Sequence, residues 1–199
     1  MFKGKHILTD HRPSIDEVNE YIQKWNRLED YVNQENALDK LFLTLCKDNN
    51  SIENILIKCS ALNDFYSTNI FKVHNVAQHY YHQNIDERLN VGDLSLVDDL
   101  AHIEINGKSF YFYSFATKYC SHHRPDVYPI YDSYVHKLLK YFRDRDHFCK
   151  FRDKDLKEYQ TYTAVIHSLR EFYGLTSFSV KEIDKYLWLL GKEAFNRYL

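Results

Sequence analysis

The chain has 199 residues, 44% of them apolar, with 17 Tyr and 13 Phe but only 5 Gly and 3 Pro. That is enough to bury the core of one domain, and so few turn-formers exclude a many-stranded sandwich in favour of helices joined by short loops. No run approaches the ~20 apolar residues of a membrane span, and a formal charge of −2 gives no overall pull on an anionic partner.

In chain order, the first helix starts at a capping box, Ser14-x-x-Glu17, directly after Pro13. Ile15, Val18, Ile22, Trp25 and Val32 then recur at helical spacing. A second helix is expected over 38–46, ended by Asp48-Asn49-Asn50-Ser51, which also caps a third over 52–65. The third carries Ile55, Cys59 and Leu62 on one face and reads as central and buried. Shorter helices follow over 71–81, 85–90 and 95–102, with a break at Val91-Gly92-Asp93 and a turn at Asn106-Gly107.

Residues 114–121 read as another helix, running through Pro125 into an extended 127–131 and a new helix over 133–142. An irregular charged stretch, 144–153, precedes a long helix over 154–173 that Gly174 closes as a left-handed cap. The last helix opens with a second capping box, Ser179-x-x-Glu182, and aligns Val180, Ile183, Leu187, Leu190 and Ala194. The strand candidates, 104–105 and 128–131, are too short to build a sheet. The fold class is therefore all-α, one helical domain over 1–199 that admits two lobes, with a cleft near 63–68 and 107–136.

Cys46, Cys59, Cys120 and Cys149 are widely spaced and form no Cys-x-x-Cys pair, which suits reduced thiols in a core. Residues 1–6 contain no apolar signal region. A cytoplasmic protein with no membrane partner is expected. His79-x-x-His82 has the spacing of two metal ligands but lacks a third, so neither a metal nor a cofactor is expected. The charge is unevenly spread: residues 1–107 hold 10 basic against 17 acidic residues, and 108–199 hold 16 against 11. The basic excess gathers around and after residue 132, as a phosphate-facing surface would have it.

The segment with most chemical content is Ser114 to Val135, SFATKYCSHHRPDVYPIYDSYV. It sets Asp132 at a helix N-terminus, where unpaired N–H groups and the macrodipole favour a negative charge. A fixed carboxylate beside aromatic rings suits stabilisation of a developing sugar cation.

Tyr-Pro-Ile-Tyr-Asp-Ser-Tyr-Val followed by His136-Lys137-Leu138-Leu139 resembles the segment that carries the catalytic Asp in DNA glycosylases of the helix-hairpin-helix/GPD superfamily. Residues 55–64 are similar to the apolar helix and polar turn lining the substrate cleft there. The resemblance implies a two-lobed helical fold with a degenerate hairpin at Ile105-Asn106-Gly107-Lys108, which has one glycine where the family is Gly-rich. It implies Asp132 as the catalytic residue, with Asn63, Tyr66, Tyr131, His122 and His123 facing an extruded base. Gly107, Lys108, Lys118, Arg124, Lys137 and Lys140 would contact a DNA duplex containing a damaged base. No Lys stands where bifunctional members have their nucleophile, so a monofunctional hydrolase without lyase activity is implied. The alternative is a catalytically inactive nucleic-acid-binding or protein-interaction module on the same fold.

Overall fold

A computed structural model describes residues 8, 9 and 11–195. The N-terminal segment read as lacking a signal region, residues 1–6, lies outside the described residues. Among the described residues the chain is helical apart from one two-stranded hairpin, so the fold is all-α. No described helix is long and apolar enough to cross a membrane. The chain divides into two compact units: a terminal unit, Met1–Glu29 with Tyr131–Leu199, and a central unit, Asp30–Ile130.

The terminal unit contains α1 (Ile15–Asn26); the other helices, numbered on after those of the central unit, are α8 (Ser133–Asp146), α9 (Tyr159–Phe172) and α10 (Val180–Phe195). Ser14 caps α1 as expected, its Oγ accepting the Glu17 N–H at 3.2 Å. The return half of that capping box is not made, because the Glu17 carboxylate goes to His11 and to the Tyr186 hydroxyl. α1 stops at Asn26 instead of running on to Val32, and it buries Val18 and Tyr21 while Ile15 stays exposed. Tyr21 meets Tyr186 edge-on at 5.5 Å and donates to Glu193 at 2.7 Å, which ties α1 to α10.

α10 also packs on α8. Gly191 lies there so close that a Cβ would come within 2.9 Å of the Tyr134 side chain and 3.1 Å of its backbone. The Ser179 box is complete: Ser179 N–H reaches Glu182 Oε2 at 2.7 Å and Glu182 N–H reaches Ser179 Oγ at 3.2 Å. The long helix expected over 154–173 is broken. Residues Asp153–Lys157 wind as a 3₁₀ turn, locked by Arg152 N–H to Asp155 Oδ2 at 2.8 Å, and α9 starts at Tyr159 after an extended Glu158. Its end is as expected, with Gly174 and Leu175 N–H bonding back to Glu171 and Arg170 in a left-handed closure.

The central unit runs α2 (Glu29–Lys40, which begins at the boundary), a π-helical turn Leu41–Leu45, α3 (Ile52–Phe65), α4 (Val73–Tyr81), α5 (Ile85–Val91) and α6 (Ser95–Ala101). Strands β1 (His102–Ile105) and β2 (Lys108–Tyr111) and helix α7 (Tyr113–His123) follow. α3 packs on α4 and α7, and α6 also packs on α7. The centre is α7, where nine residues from Tyr113 to His122 are buried, and not α3, which buries four. α3 is amphipathic, with Ile57 turned to solvent.

The Asn106-Gly107 turn is present, with both residues at positive φ, +52° and +71°. It closes an antiparallel pair in which Ile105 faces Lys108, the pattern of a type I′ β-hairpin. Ile105–Lys108, read as a degenerate helix-hairpin-helix loop, is therefore flanked by strands and not by helices. The other strand candidate, 128–131, is not a strand in the structure.

Candidate functional site

The central unit encloses a charged side chain that sequence reasoning passed over. Lys58 lies on the buried stripe of α3 between Ile55 and Leu62 and has no exposed surface. Its Nζ donates to Asn49 Oδ1 at 2.6 Å, to the Asp48 carbonyl at 3.2 Å and to His123 Nε2 at 3.2 Å. Asn49 is fixed in turn. Its backbone N–H and Nδ2 reach the two carboxylate oxygens of Asp86 at 2.8 and 2.6 Å, and the Tyr119 hydroxyl donates to its Oδ1 at 2.5 Å. Asn49 thereby relays the Asp86 charge to an ammonium group that Asp86 does not touch.

Burial pulls the Lys58 pKa down to about 8, with Asp86 the largest opposing influence. His123 is held well below its ordinary range by burial and by the neighbouring Lys58 and His122. As an acceptor from Lys58 it must be unprotonated at Nε2. The π-helical turn aims Phe42 into this cluster, 5.0 Å from the His123 ring and 5.5 Å from Tyr119, with Lys58 Nζ 5.6 Å from its centroid. A cavity of about 450 Å³ opens beside the cluster, lined among others by Asn49, Tyr81, His82 and Asp86. The sequence held one signal for this: a lysine three residues after Ile55 and four before Leu62 falls on an apolar helical stripe.

Several residues expected to face a base are together in the central unit. Tyr66 Oη and His122 Nε2 are 3.0 Å apart, Lys118 Nζ lies 5.0 Å above the Tyr66 ring, and Asp39 is 4.0 Å from His122 Nδ1. Lys118 is 5% exposed and donates to Ser114 Oγ at 2.5 Å. Asn63 has a structural post: it accepts from Ile70 N–H at 2.8 Å and Thr68 Oγ1 at 2.7 Å, and donates to the Ile70 carbonyl at 3.1 Å. His123 belongs to the Lys58 cluster. Arg124, expected to meet phosphate, turns its guanidinium to the Leu89 and Asn90 carbonyls at 2.9 and 3.3 Å. Gly107 and Lys108 are in the exposed β-turn.

Asp132, Tyr131, Lys137 and Lys140 belong to the terminal unit. Asp132 is the N-cap of α8, with extended backbone and Oδ1 accepting the Tyr134 N–H at 2.7 Å. Asp132 is partly exposed, and no described residue donates a hydrogen bond to Oδ2. Tyr131 is buried. Its hydroxyl is 3.0 Å from His136 Nδ1, Lys157 Nζ sits 4.2 Å above its ring, and burial with the adjacent Asp132 charge pushes it up to about 12. His136 is lowered by burial and by Lys140 and Lys157. Lys137 is exposed, whereas Lys140 pairs with Asp153. Among the described residues no His, Cys, Asp and Glu gather in a group that could hold a metal ion.

Residues 17–127 match the family HI_0787_N, an N-terminal domain. The chain is also similar to an uncharacterized protein of Haemophilus influenzae, 48% identical over 149 residues that cover 74% of this chain and 71% of that protein. No solved structure matches it. The family span contains the whole Lys58 cluster and ends before Asp132. On both comparisons the chain belongs to the HI_0787 N-terminal domain family.

Proposed function

We propose that this chain is a divergent DNA glycosylase-like protein that acts on an extruded, damaged base, with Asp132 as the group that stabilises the sugar cation. The observation that carries the reading is the local geometry of Asp132. One carboxylate oxygen is committed to the helix, and the other, on a residue that is partly exposed, accepts no hydrogen bond from a described residue. A carboxylate positioned in this way needs no reorganisation as an oxocarbenium-like centre develops at the anomeric carbon, and it can orient the attacking water. Tyr131 precedes it in a rigid, buried setting, which fixes the approach of the backbone to Asp132. With no Lys at the family's nucleophile place, water is the attacking group and the free base the leaving group.

A second reading, a non-catalytic nucleic-acid-binding or interaction module, draws support from the hairpin. A type I′ β-turn stands where the superfamily uses a glycine-rich loop to approach phosphate. Duplexes carrying oxidised, alkylated or deaminated bases separate the two. Base release without a borohydride-trapped adduct supports the hydrolase. Salt-sensitive duplex binding without release from any lesion supports the module. A trapped adduct contradicts the hydrolytic route.

A further inference from the structure

Tyr131 holds two basic groups at once. Its hydroxyl is 3.0 Å from His136 Nδ1, and Lys157 Nζ sits 4.2 Å above its ring. The hydroxyl fixes the plane of the imidazole, while His136 Nε2 meets no hydrogen-bonding group among the described residues. His136 is partly exposed and Lys157 is exposed, so a ligand can reach both. The His136 N–H bonds back to the Asp132 carbonyl at 2.9 Å, which puts the imidazole one helical turn from the proposed catalytic residue.

Lys140 follows His136 by four residues and lies one turn on along the same face of α8. Its ammonium pairs with Asp153, the first residue of the 3₁₀ turn that ends at Lys157. Arg143 reaches the same carboxylate at 2.9 Å, and Asp144 at 2.7 Å. Two ion pairs thus hold the start of the turn to α8, and the Tyr131 ring lies under its end. The charges facing His136 are Lys140 and Arg143 from α8, and Asp153 and Lys157 from the turn. With Asp144 counted, three cations stand against two carboxylates, and a proton on His136 adds a fourth cation. All of these residues belong to the terminal unit.

We propose that His136, Lys140 and Lys157 form a phosphate site that holds one backbone phosphate of the nucleic acid on which Asp132 acts. The inference rests on the reading of Asp132 as acting on a nucleic acid. With the Tyr131 hydroxyl donating to Nδ1, the neutral imidazole carries its proton on Nε2 and presents a donor. Lys157 supplies a second donor from the ring face of Tyr131, and Lys140 a third by sharing its three N–H groups with Asp153. A phosphate offers several acceptor oxygens to donors arriving from different directions. A planar carboxylate is met best by an arginine fork, and Arg143 already engages Asp153 and Asp144 through NH1 and Nε. A phosphate held here fixes the strand beside Asp132 and reads no sequence.

Duplex affinity of the full chain, followed by fluorescence anisotropy against salt and pH, tests this. Lys157→Gln should weaken binding at least about tenfold and lower the salt slope by about one. Lys150→Gln, which removes the same charge from an exposed residue outside the set, should cost clearly less. A bound anion favours the protonated ring, so wild-type affinity should rise as the pH falls through the lowered range of His136. His136→Gln retains a donor but cannot gain charge, and it should remove that rise. Inorganic phosphate should shift the NMR signals of the His136 imidazole in the wild type and not in Lys157→Gln. Circular dichroism reports folding, and if His136→Gln does not fold, the exposed Lys157→Gln decides. Loss of duplex affinity in Lys157→Gln with no base release from any lesion upholds the phosphate site and sinks the reading of Asp132. Phosphate-induced shifts with unchanged duplex affinity in Lys157→Gln would mark a site for free phosphate and overturn the backbone assignment. A wild type that binds no duplex, a Lys157→Gln variant equal to Lys150→Gln, or a pH dependence that survives His136→Gln would also overturn the proposal.

Discussion

Asp132 stands at the mouth of a helix in the terminal unit and is partly exposed, whereas Lys58 is sealed inside the central unit with no exposed surface. Asp132 commits Oδ1 to the helix end, and no described residue donates to its Oδ2. Lys58 is held by three acceptors and a relayed counter-charge from Asp86, and its pKa falls to about 8. A displacement of that size corresponds to about 3 kcal/mol disfavouring the charged form. The buried, strongly shifted group and the residue proposed as reactive are therefore two different side chains, one in each unit. In this chain the perturbed lysine organises the fold, and the unsealed aspartate carries the proposed chemistry.

The sharpest way to break that contrast is Asp86→Ala. It removes the charge that Asn49 relays to Lys58 and strips acceptors from two Asn49 donors. A loss of about 3 kcal/mol in denaturant-measured stability is expected, the cost of leaving a buried charge uncompensated. A loss under ~0.5 kcal/mol would mean that Lys58 is not held through Asp86.

The pH dependence sharpens the same point. The folded-state pKa of Lys58, about 8, lies below its unfolded value of about 10.4. Above pH 8 the folded chain has given up a proton that the unfolded chain still holds, so stability rises with pH. Buried tyrosines such as Tyr119, raised by burial, act in the opposite sense once unfolded tyrosine ionises near pH 10. The buried thiols of Cys59 and Cys120, also raised by burial, oppose Lys58 once unfolded cysteine ionises near pH 8.5, so the Lys58 contribution is read from the difference between wild type and Lys58→Met. Between about pH 8 and 9.5, urea titrations should show stability falling more steeply with pH in Lys58→Met than in the wild type.

In the terminal unit, Gly191→Ala drives a methyl group into the Tyr134 backbone, within one turn of Asp132. A destabilisation of about 1–3 kcal/mol is expected from overpacking, with base release falling more than the folded fraction does, because the Asp132 helix is displaced. The smallest effect is that of Asp132→Ala on stability, about 1 kcal/mol for a lost N-cap, read as a modest drop in Tm.

Local signals made much of the fold legible. Ser14, Ser51, Asp132 and Ser179 cap the helices they were expected to cap, and Gly92 and Gly174 end theirs in the left-handed region. These are interactions over three or four residues, which a sequence displays directly. The Lys58 cluster spans Asn49, Lys58, Asp86, Tyr119 and His123, with separations up to 74 residues, and only Lys58's place on an apolar stripe hinted at it. The break before Tyr159 was hidden because the 153–157 stretch carries helix-compatible residues while the Asp155 side chain captures the Arg152 N–H. β2 escaped notice because Lys-Ser-Phe-Tyr does not alternate. Its strand character comes from pairing with β1, of which the sequence shows 104–105 as a strand candidate, across the Asn106-Gly107 turn.

The central claim, that the Asp132 carboxylate supports cleavage of a glycosidic bond, is tested most directly by single-turnover base release with Asp132→Asn. The amide oxygen still accepts the Tyr134 N–H, so the helix keeps its cap, while the negative charge is removed. The expected result is an Asn variant with near wild-type Tm and base release slowed by about 10²-fold or more. A folded Asn variant that releases base at the wild-type rate would contradict the account.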